Sequence, residues 1–374
     1  MLKLVPICIV SLVVSFIIEL RSECVLDQYG EKIYIKKDKI FWILLSIIMI
    51  FFVGLRKKYN DTFVYRGVYE STSSNLNDFF NLNVMIGDNP GYTFLRFLFR
   101  SLDISTTSYL LIYAAVTIYI YMWFIRKYST KVWLSIYIFI VSGSFIFAMA
   151  GMKQAIAIAF DLVAVDCAIN KKWKAFVLWV LIGMLFHPYS LMFLIVPFLR
   201  FTPGNKKTYI LLGTFAVLGI VMPRLLGSIV GITSALGEEY SIETFTGEGV
   251  NFYRFLVCAV PIILILITRK ILKNIEDSKW NIILNLSILN GEIMFMALFG
   301  TANYFGRLAN YFLIFQTLSI PYLLRGFTDK SKKILIILCV IMYAMFFFYQ
   351  NVLITPFDSA YVGISFREYL ASIL

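Results

Sequence analysis

Charge is what this sequence has least of. Only 15% of its 374 residues are Asp, Glu, Lys or Arg, while 60% are hydrophobic. A soluble domain carries about 25% charged residues, so an ordinary water-soluble fold is excluded. Cysteine is scarce as well. Cys8, Cys167, Cys258 and Cys339 fall in apolar runs and Cys24 stands alone in a loop. That spacing excludes a disulfide framework and a zinc site built on cysteine. There is a single histidine, His187, with no suitably placed cysteine near it in sequence, so no metal site is expected. No internal repeat, low-complexity tract or Ser-His-Asp motif is visible. The chain instead has aromatic residues (17%), a mean hydropathy of +0.80 and long uncharged runs of the kind that cross membranes.

Twelve apolar stretches read as candidate spans: about 2–20, 40–55, 107–125, 132–150, 152–169, 175–186, 188–199, 208–222, 252–268, 281–300, 308–324 and 334–354. The first ends in Glu19 and Arg21 rather than a small-residue cleavage site, so it is read as a retained helix. The net charge of +12 does not point to nucleic acid, because the cations sit in short gaps between apolar runs. Six alternate gaps, residues 21–39, 126–131, 171–174, 200–207, 269–279 and 325–333, hold 22 of the 34 Lys and Arg. The positive-inside rule makes these cytoplasmic and puts both termini outside. The expected fold is one all-α polytopic membrane domain over residues 1–374, with external loops at 56–106 and 223–251. The first loop contains an amphipathic stretch, GYTFLRFLFRSL, and the second is acidic, with Glu238, Glu239, Glu243 and Glu248.

Against this topology several cations are out of place. Lys153 opens the fifth stretch, Arg254 the ninth, Arg307 immediately precedes the eleventh, and Arg56 follows the second, all on the outward side. A cation at a helix N-terminus opposes the dipole, and an outward cation goes against the usual charge bias. Helix starts already favour anions, so converging cations there make an anion trap. Arginine grips phosphate with paired hydrogen bonds and lysine acts as a point charge. His187 precedes the seventh stretch. The sixth has 12 residues, about 18 Å as a helix, against a hydrocarbon core of about 30 Å. The turn at His187 is therefore expected below the outer surface, in a recess open to the outside. Asp161, Asp166 and Glu292 lie within apolar stretches, where a structural role or a proton relay would explain them. Asp166 is expected to pair with Lys171 or Lys172.

Four segments carry a family likeness: GLRKKYNDTFVYRGVYE, NPGYTFLRFLFRSL, GMKQAIAIAFDLVAVDCAINKKWKAFVLWVLIGMLFHPYSL and FGRLANYFLIFQTLSIPYLL. In them the chain resembles the EpsG family of Wzy-like bacterial polysaccharide polymerases. Lys153 stands where that family more often has arginine, and Asn60 where it usually has glycine. The resemblance implies a bacterial cytoplasmic-membrane protein of GT-C-like architecture that joins lipid-linked repeat units on the outer face. The product would be O-antigen, capsule or exopolysaccharide. The donor is an oligosaccharide on undecaprenyl diphosphate, the acceptor a second lipid-linked unit, and a chain-length regulator protein is a possible partner. On this reading Arg307 and Lys153, with Gln154 beside it, hold the diphosphate, and Arg56 and Arg254 assist. His187 either activates the acceptor hydroxyl or orients the phosphate, with Asp61 as an alternative base. Tyr65 and Tyr304 are candidates to stack on sugar. Transfer is expected without a metal or other cofactor. A glycan ligase would use the same cations with a different acceptor groove, and a flippase or transporter of lipid-linked oligosaccharide would need an inward-open state and no chemistry.

Overall fold

The computed structural model describes residues 2–26, 32–85, 89–235, 249–272, 278–299 and 302–371. The chain is mostly helical. The principal helices are α1 (Val5–Arg21), α2 (Lys39–Gly54), α3 (Thr62–Glu70), α4 (Pro90–Ser101), α5 (Thr106–Tyr128), α6 (Val132–Val141), α7 (Ser144–Ala150), α8 (Met152–Ile169), α9 (Trp173–Met184), α10 (Lys206–Ala235), α11 (Phe252–Leu272), α12 (Ser278–Met296), α13 (Ala302–Leu313), α14 (Gln316–Leu323) and α15 (Asp329–Phe348). The all-α expectation needs a small correction. Two short antiparallel ribbons are present, β1 (Glu23–Leu26) with β2 (Lys32–Lys36), and β3 (Arg56–Lys58) with β4 (Val362–Gly363).

Each apolar stretch of the sequence falls on a helical element, with charged or polar residues at the boundaries. Asp38 caps α2 by accepting from the Phe41 amide at 2.9 Å, and Ser105 caps α5 through the Ser108 amide. Such caps satisfy amides that have no partner inside the helix. Glu19, at the end of α1, accepts from the Trp133 amide in the first turn of α6. Gly143 separates α6 from α7 at φ +94°, a backbone conformation that side chains resist, and the two helices bend by 43° there.

Span length is where sequence and structure differ. Among the described residues, three helices are long and apolar enough to cross a membrane, Thr106–Tyr128, Phe252–Leu272 and Asp329–Ile354, or four if the bent α6–α7 pair is one span. Lys39–Gly54 and Trp173–Met184 are apolar but shorter. Pro188–Leu199 is a 3-10 helix with Pro197 inside it. Its greater rise of about 2 Å per residue lets 12 residues reach further than an α-helix would. The faces also differ. In the best window of α5 56% is buried, while for Asp329–Ile354 the share is 28%, with Ile337, Leu338, Ile341 and Met345 exposed. That exposed apolar face suits lipid.

Two further expectations change. Arg307 does not precede its helix. It lies inside α13, because the helix begins before the apolar run does. Asp166 does not depend on Lys171 or Lys172. Lys127 contacts its carboxylate at 2.5 Å and the Tyr128 hydroxyl donates to it. The acidic residues Glu238, Glu239, Glu243 and Glu248 of the second external loop lie outside the described residues.

The segment expected to form the first external loop is folded onto the bundle. Tyr69 of α3 stacks on Tyr109 of α5 with ring centroids 4.1 Å apart. Tyr65, Tyr92 and Tyr113 complete an aromatic cluster with Ile156 of α8. Gly91 makes this approach possible: its amide donates to the Leu185 carbonyl at 2.8 Å, and a Cβ there would sit 2.8 Å from that of Leu185. The amphipathic stretch is thus a helix, α4, packed on the end of α9. The C-terminal segment covers the same end, with Tyr361 stacked on Phe52 at 5.2 Å.

Candidate functional site

A cavity of about 550 Å³ lies at the end of the bundle where α8 and α11 begin. Its size is in the range of ligand sites, about 300–1,000 Å³. Lys153, Arg254, Arg307 and His187 line it together with Asp61, Tyr65 and Gln154. These residues come from α3, α8, α11, α13 and two turns, so the fold gathers groups up to 246 positions apart in sequence between Asp61 and Arg307. Phe147 of α7 and Phe346 and Phe347 of α15 supply an apolar side.

Lys153 is the second residue of α8 and Arg254 the third of α11, so both add charge to first turns whose amides already favour anions. With the Asn89 amide turned to donate to the Phe186 carbonyl at 2.7 Å, its oxygen accepts from Lys153 Nζ at 3.0 Å. Lys153 also lies 5.5 Å from the Tyr92 ring centroid. Its direction is therefore set by Asn89, at the start of α4, and by Tyr92 within it. Arg254 Nη2 donates to Asn310 Oδ1 at 3.1 Å. Asn310 stands three positions after Arg307, on the same face of α13. Gln154 is buried and donates to the main-chain carbonyl of Arg307 at 2.6 Å. That bond ties α8 to α13 and fixes the two diphosphate candidates relative to each other. Among the described residues the exposed Arg307 side chain has no acidic partner.

His187 sits in the turn between α9 and the 3-10 helix. Its ring lies 5.1 Å from Tyr189 and 5.9 Å from Tyr311. Its Nδ1 is buried and has no hydrogen-bond partner among the described residues. Burial first, then the charges of Lys153 and Arg307, push its pKa from 6.5 down to about 3. The imidazole is therefore neutral at pH 7, and an anion that offset those two charges would raise its affinity for a proton. The turn is anchored from below: Ser190 donates to Asp161 Oδ2 at 2.9 Å, and Asp161 is wholly buried. Asp161 thus has a structural partner, as one of its two sequence readings required. Glu292 is buried in α12 with no partner among the described residues.

Asp61 lines the cavity and precedes α3 without capping it through its side chain. The residue before it, Asn60, has φ +39°. Glycine and asparagine enter that left-handed region most easily, so asparagine suits this position.

Two sequence candidates stand apart. Arg56 does not line the cavity. It is 1% exposed, with Nη1 donating to the Val53 carbonyl at 2.6 Å and Nε to Thr62 Oγ1 at 3.0 Å. Burial lowers its pKa to about 10, which leaves it charged at neutral pH. It braces the end of α2 against the start of α3. Tyr304 is buried edge-on to Tyr189 at 5.9 Å and is not on the cavity wall. The sequence reading missed Asn310, Gln350, Asn351 and Thr355, which line the cavity. Asn310 was legible from its spacing to Arg307. The other three follow an apolar helix and carry no motif.

No curated protein and no solved structure matches the chain. The profile of the EpsG family matches residues 39–362, an interval that begins with α2 and ends in β4 and so includes every cavity-lining residue. The chain is an integral membrane protein and belongs to the EpsG family, whose members are Wzy-like, polysaccharide-polymerase-type membrane proteins.

Proposed function

We propose that the chain is a polysaccharide polymerase that transfers a growing glycan from a polyprenyl diphosphate, undecaprenyl diphosphate in bacteria, to a hydroxyl of a second lipid-linked repeat unit. The observation that carries this reading is one cavity in which Lys153, Arg254 and Arg307 meet, beside an apolar side, a neutral imidazole whose Nδ1 has no hydrogen-bond partner among the described residues. The acceptor oxygen forms a bond to the anomeric carbon of the donor. The bond from that carbon to phosphate breaks, and the electron pair leaves with the lipid diphosphate. Negative charge grows on the diphosphate as this happens, and preorganised cations lower the barrier. Arg307 and Lys153 take that charge. Arg254, held by Asn310, sets the far end of the anion site. The hydroxyl proton passes to His187, with Asp61 as the alternative base. Tyr65, which lines the cavity, is the candidate to stack on sugar.

The cations of the chain supply the charge a metal would otherwise supply, so the reading includes metal-independent transfer. Polymerisation that chelator abolishes and only a divalent ion restores would contradict this part. The same reading puts the cavity on the outer face of the cytoplasmic membrane, both termini outside, with twelve segments in a GT-C-like arrangement. It leaves room for a separate chain-length regulator.

Deletion followed by analysis of lipid-linked sugars tests the proposal. Loss of a polymerase leaves single repeat units exposed on the outer face. Units trapped inside would instead indicate a flippase. Polymer made at normal length but left on its carrier would indicate a ligase. Arg307→Ala and His187→Ala should reproduce the deletion with normal protein abundance.

A further inference from the structure

A second recess, of about 310 Å³, lies at the other end of helices that wall the first. α6 lines the first cavity with Val141 and the second with Trp133 and Leu134. α15 lines the first with Phe346 and the second with Ile336. Ten residues of α-helix separate those two positions, about 15 Å. The recess has an apolar wall and a charged rim of Lys131, Arg325 and Lys332.

The rim charges are held in place. Lys131 lies 5.5 Å from the Trp133 ring centroid and Arg325 lies 5.2 Å from that of Tyr322. Lys332 pairs at 2.9 Å with Asp329, whose side chain is 86% exposed, an arrangement that water weakens. The one carboxylate lining the recess, Glu19, is engaged by the Trp133 amide at 3.1 Å and the Tyr34 hydroxyl at 3.2 Å. Thr130 provides an independent observation. It is 6% exposed and lines the recess, and its hydroxyl has no hydrogen-bond partner among the described residues. Buried hydroxyls are normally hydrogen-bonded. A phosphate oxygen accepts such a bond and also answers the rim cations.

We propose that this recess binds a phosphate group, with Thr130 donating to a phosphate oxygen, Lys131 and Arg325 balancing its charge, and Trp133 and Ile336 packed against an apolar portion. A phospholipid headgroup and free inorganic phosphate share the recognised chemistry. The site stands on its own residues and does not depend on the polymerase reading.

The test uses the full-length chain purified in neutral detergent, with lipid binding counted by native mass spectrometry. The probes are phosphatidic acid, phosphatidylcholine with the same acyl chains, and inorganic phosphate as competitor. Phosphatidic acid should bind about tenfold more tightly than phosphatidylcholine, the size of effect expected for one charge-assisted hydrogen bond. Arg325→Gln and Lys131→Gln should each remove most of that preference, and Arg325→Lys should retain it in part. Thr130→Val, which keeps the shape, should weaken phosphatidic acid binding a few-fold with unchanged thermal unfolding, and it decides the matter if a charge variant fails to fold. Displacement by inorganic phosphate would identify the free anion as the occupant. Resistance to displacement would identify the lipid headgroup. Equal binding of the two lipids, or wild-type binding by all variants, would overturn the proposal.

Discussion

The two ends of the bundle use cations differently. At the end where α8 and α11 begin, Lys153, Arg254 and Arg307 share a cavity with His187, whose Nδ1 is unpartnered among the described residues. At the other end, Lys131, Arg325 and Lys332 rim a smaller recess beside aromatic rings and a buried threonine, with Glu19 occupied as a helix cap. Both ends can hold an anion. Only the first adds a neutral imidazole to the cations, and on that difference rests the proposal that bond exchange belongs to the first end. A similar contrast exists within the first end. Arg56 is spent on carbonyl and hydroxyl groups of the fold, while the Arg307 side chain is exposed.

The largest effect should come from Arg307→Ala. Removing a preorganised charge from a growing anion typically costs about 100- to 1,000-fold in turnover, measured as polymer formed per molecule of purified protein. Thermal unfolding should barely move, because the side chain is exposed. A variant with wild-type turnover would erase the distinction between the two ends.

His187→Asn should lower turnover by about 100-fold or more, the range of general base catalysis, and its pH behaviour sharpens the comparison. The folded pKa, about 3, lies below the ordinary 6.5. Between those values the unfolded chain binds a proton that the folded chain does not. Stability due to neutral His187 is therefore complete above pH 6.5 and is lost as pH falls toward 3. The wild type should lose melting temperature over that window faster than His187→Asn. Its kcat/KM should not fall with a midpoint near 6.5.

Lys153→Met should reduce turnover about tenfold, while Lys153→Arg should stay within a few-fold, since a guanidinium keeps the charge and can bind phosphate through two hydrogen bonds. A loss in Lys153→Arg equal to that in Lys153→Met would mean that the Asn89 contact, rather than the charge, matters. Arg56→Met should act on stability instead, by about 2 kcal/mol or more from lost buried hydrogen bonds. Activity per folded molecule should be retained. The smallest effect belongs to Tyr304→Phe, less than about twofold in turnover, because a side chain off the cavity wall has no transition-state charge to meet.

Much of the architecture was visible in the sequence because apolar runs and basic gaps are long-range, repetitive signals. Helix starts were less visible. The α13 helix begins before its apolar run, so Arg307 seemed to precede a helix that in fact contains it. The 3-10 form of Pro188–Leu199 was hidden because an apolar run with two prolines does not specify its own pitch. Lys153, Arg254 and His187 were legible as polar groups at turns between apolar runs. Arg56 had the same signal and a different fate, because burial is decided by partners such as Thr62 and Met152 that pattern alone does not bring together. The covering of this end by residues 357–371 was not legible, since a ribbon as short as β3–β4 leaves almost no periodicity.

The account rests on Arg307 and His187 acting together on a diphosphate lipid, and reconstituted polymerisation measures that most directly. Purified chain, given diphosphate-linked repeat units in vesicles, should build a ladder of longer glycans and release the lipid diphosphate. Arg307→Ala and His187→Ala, folded to the same extent, should leave single units. Ladders of wild-type length and rate from both variants would contradict the account.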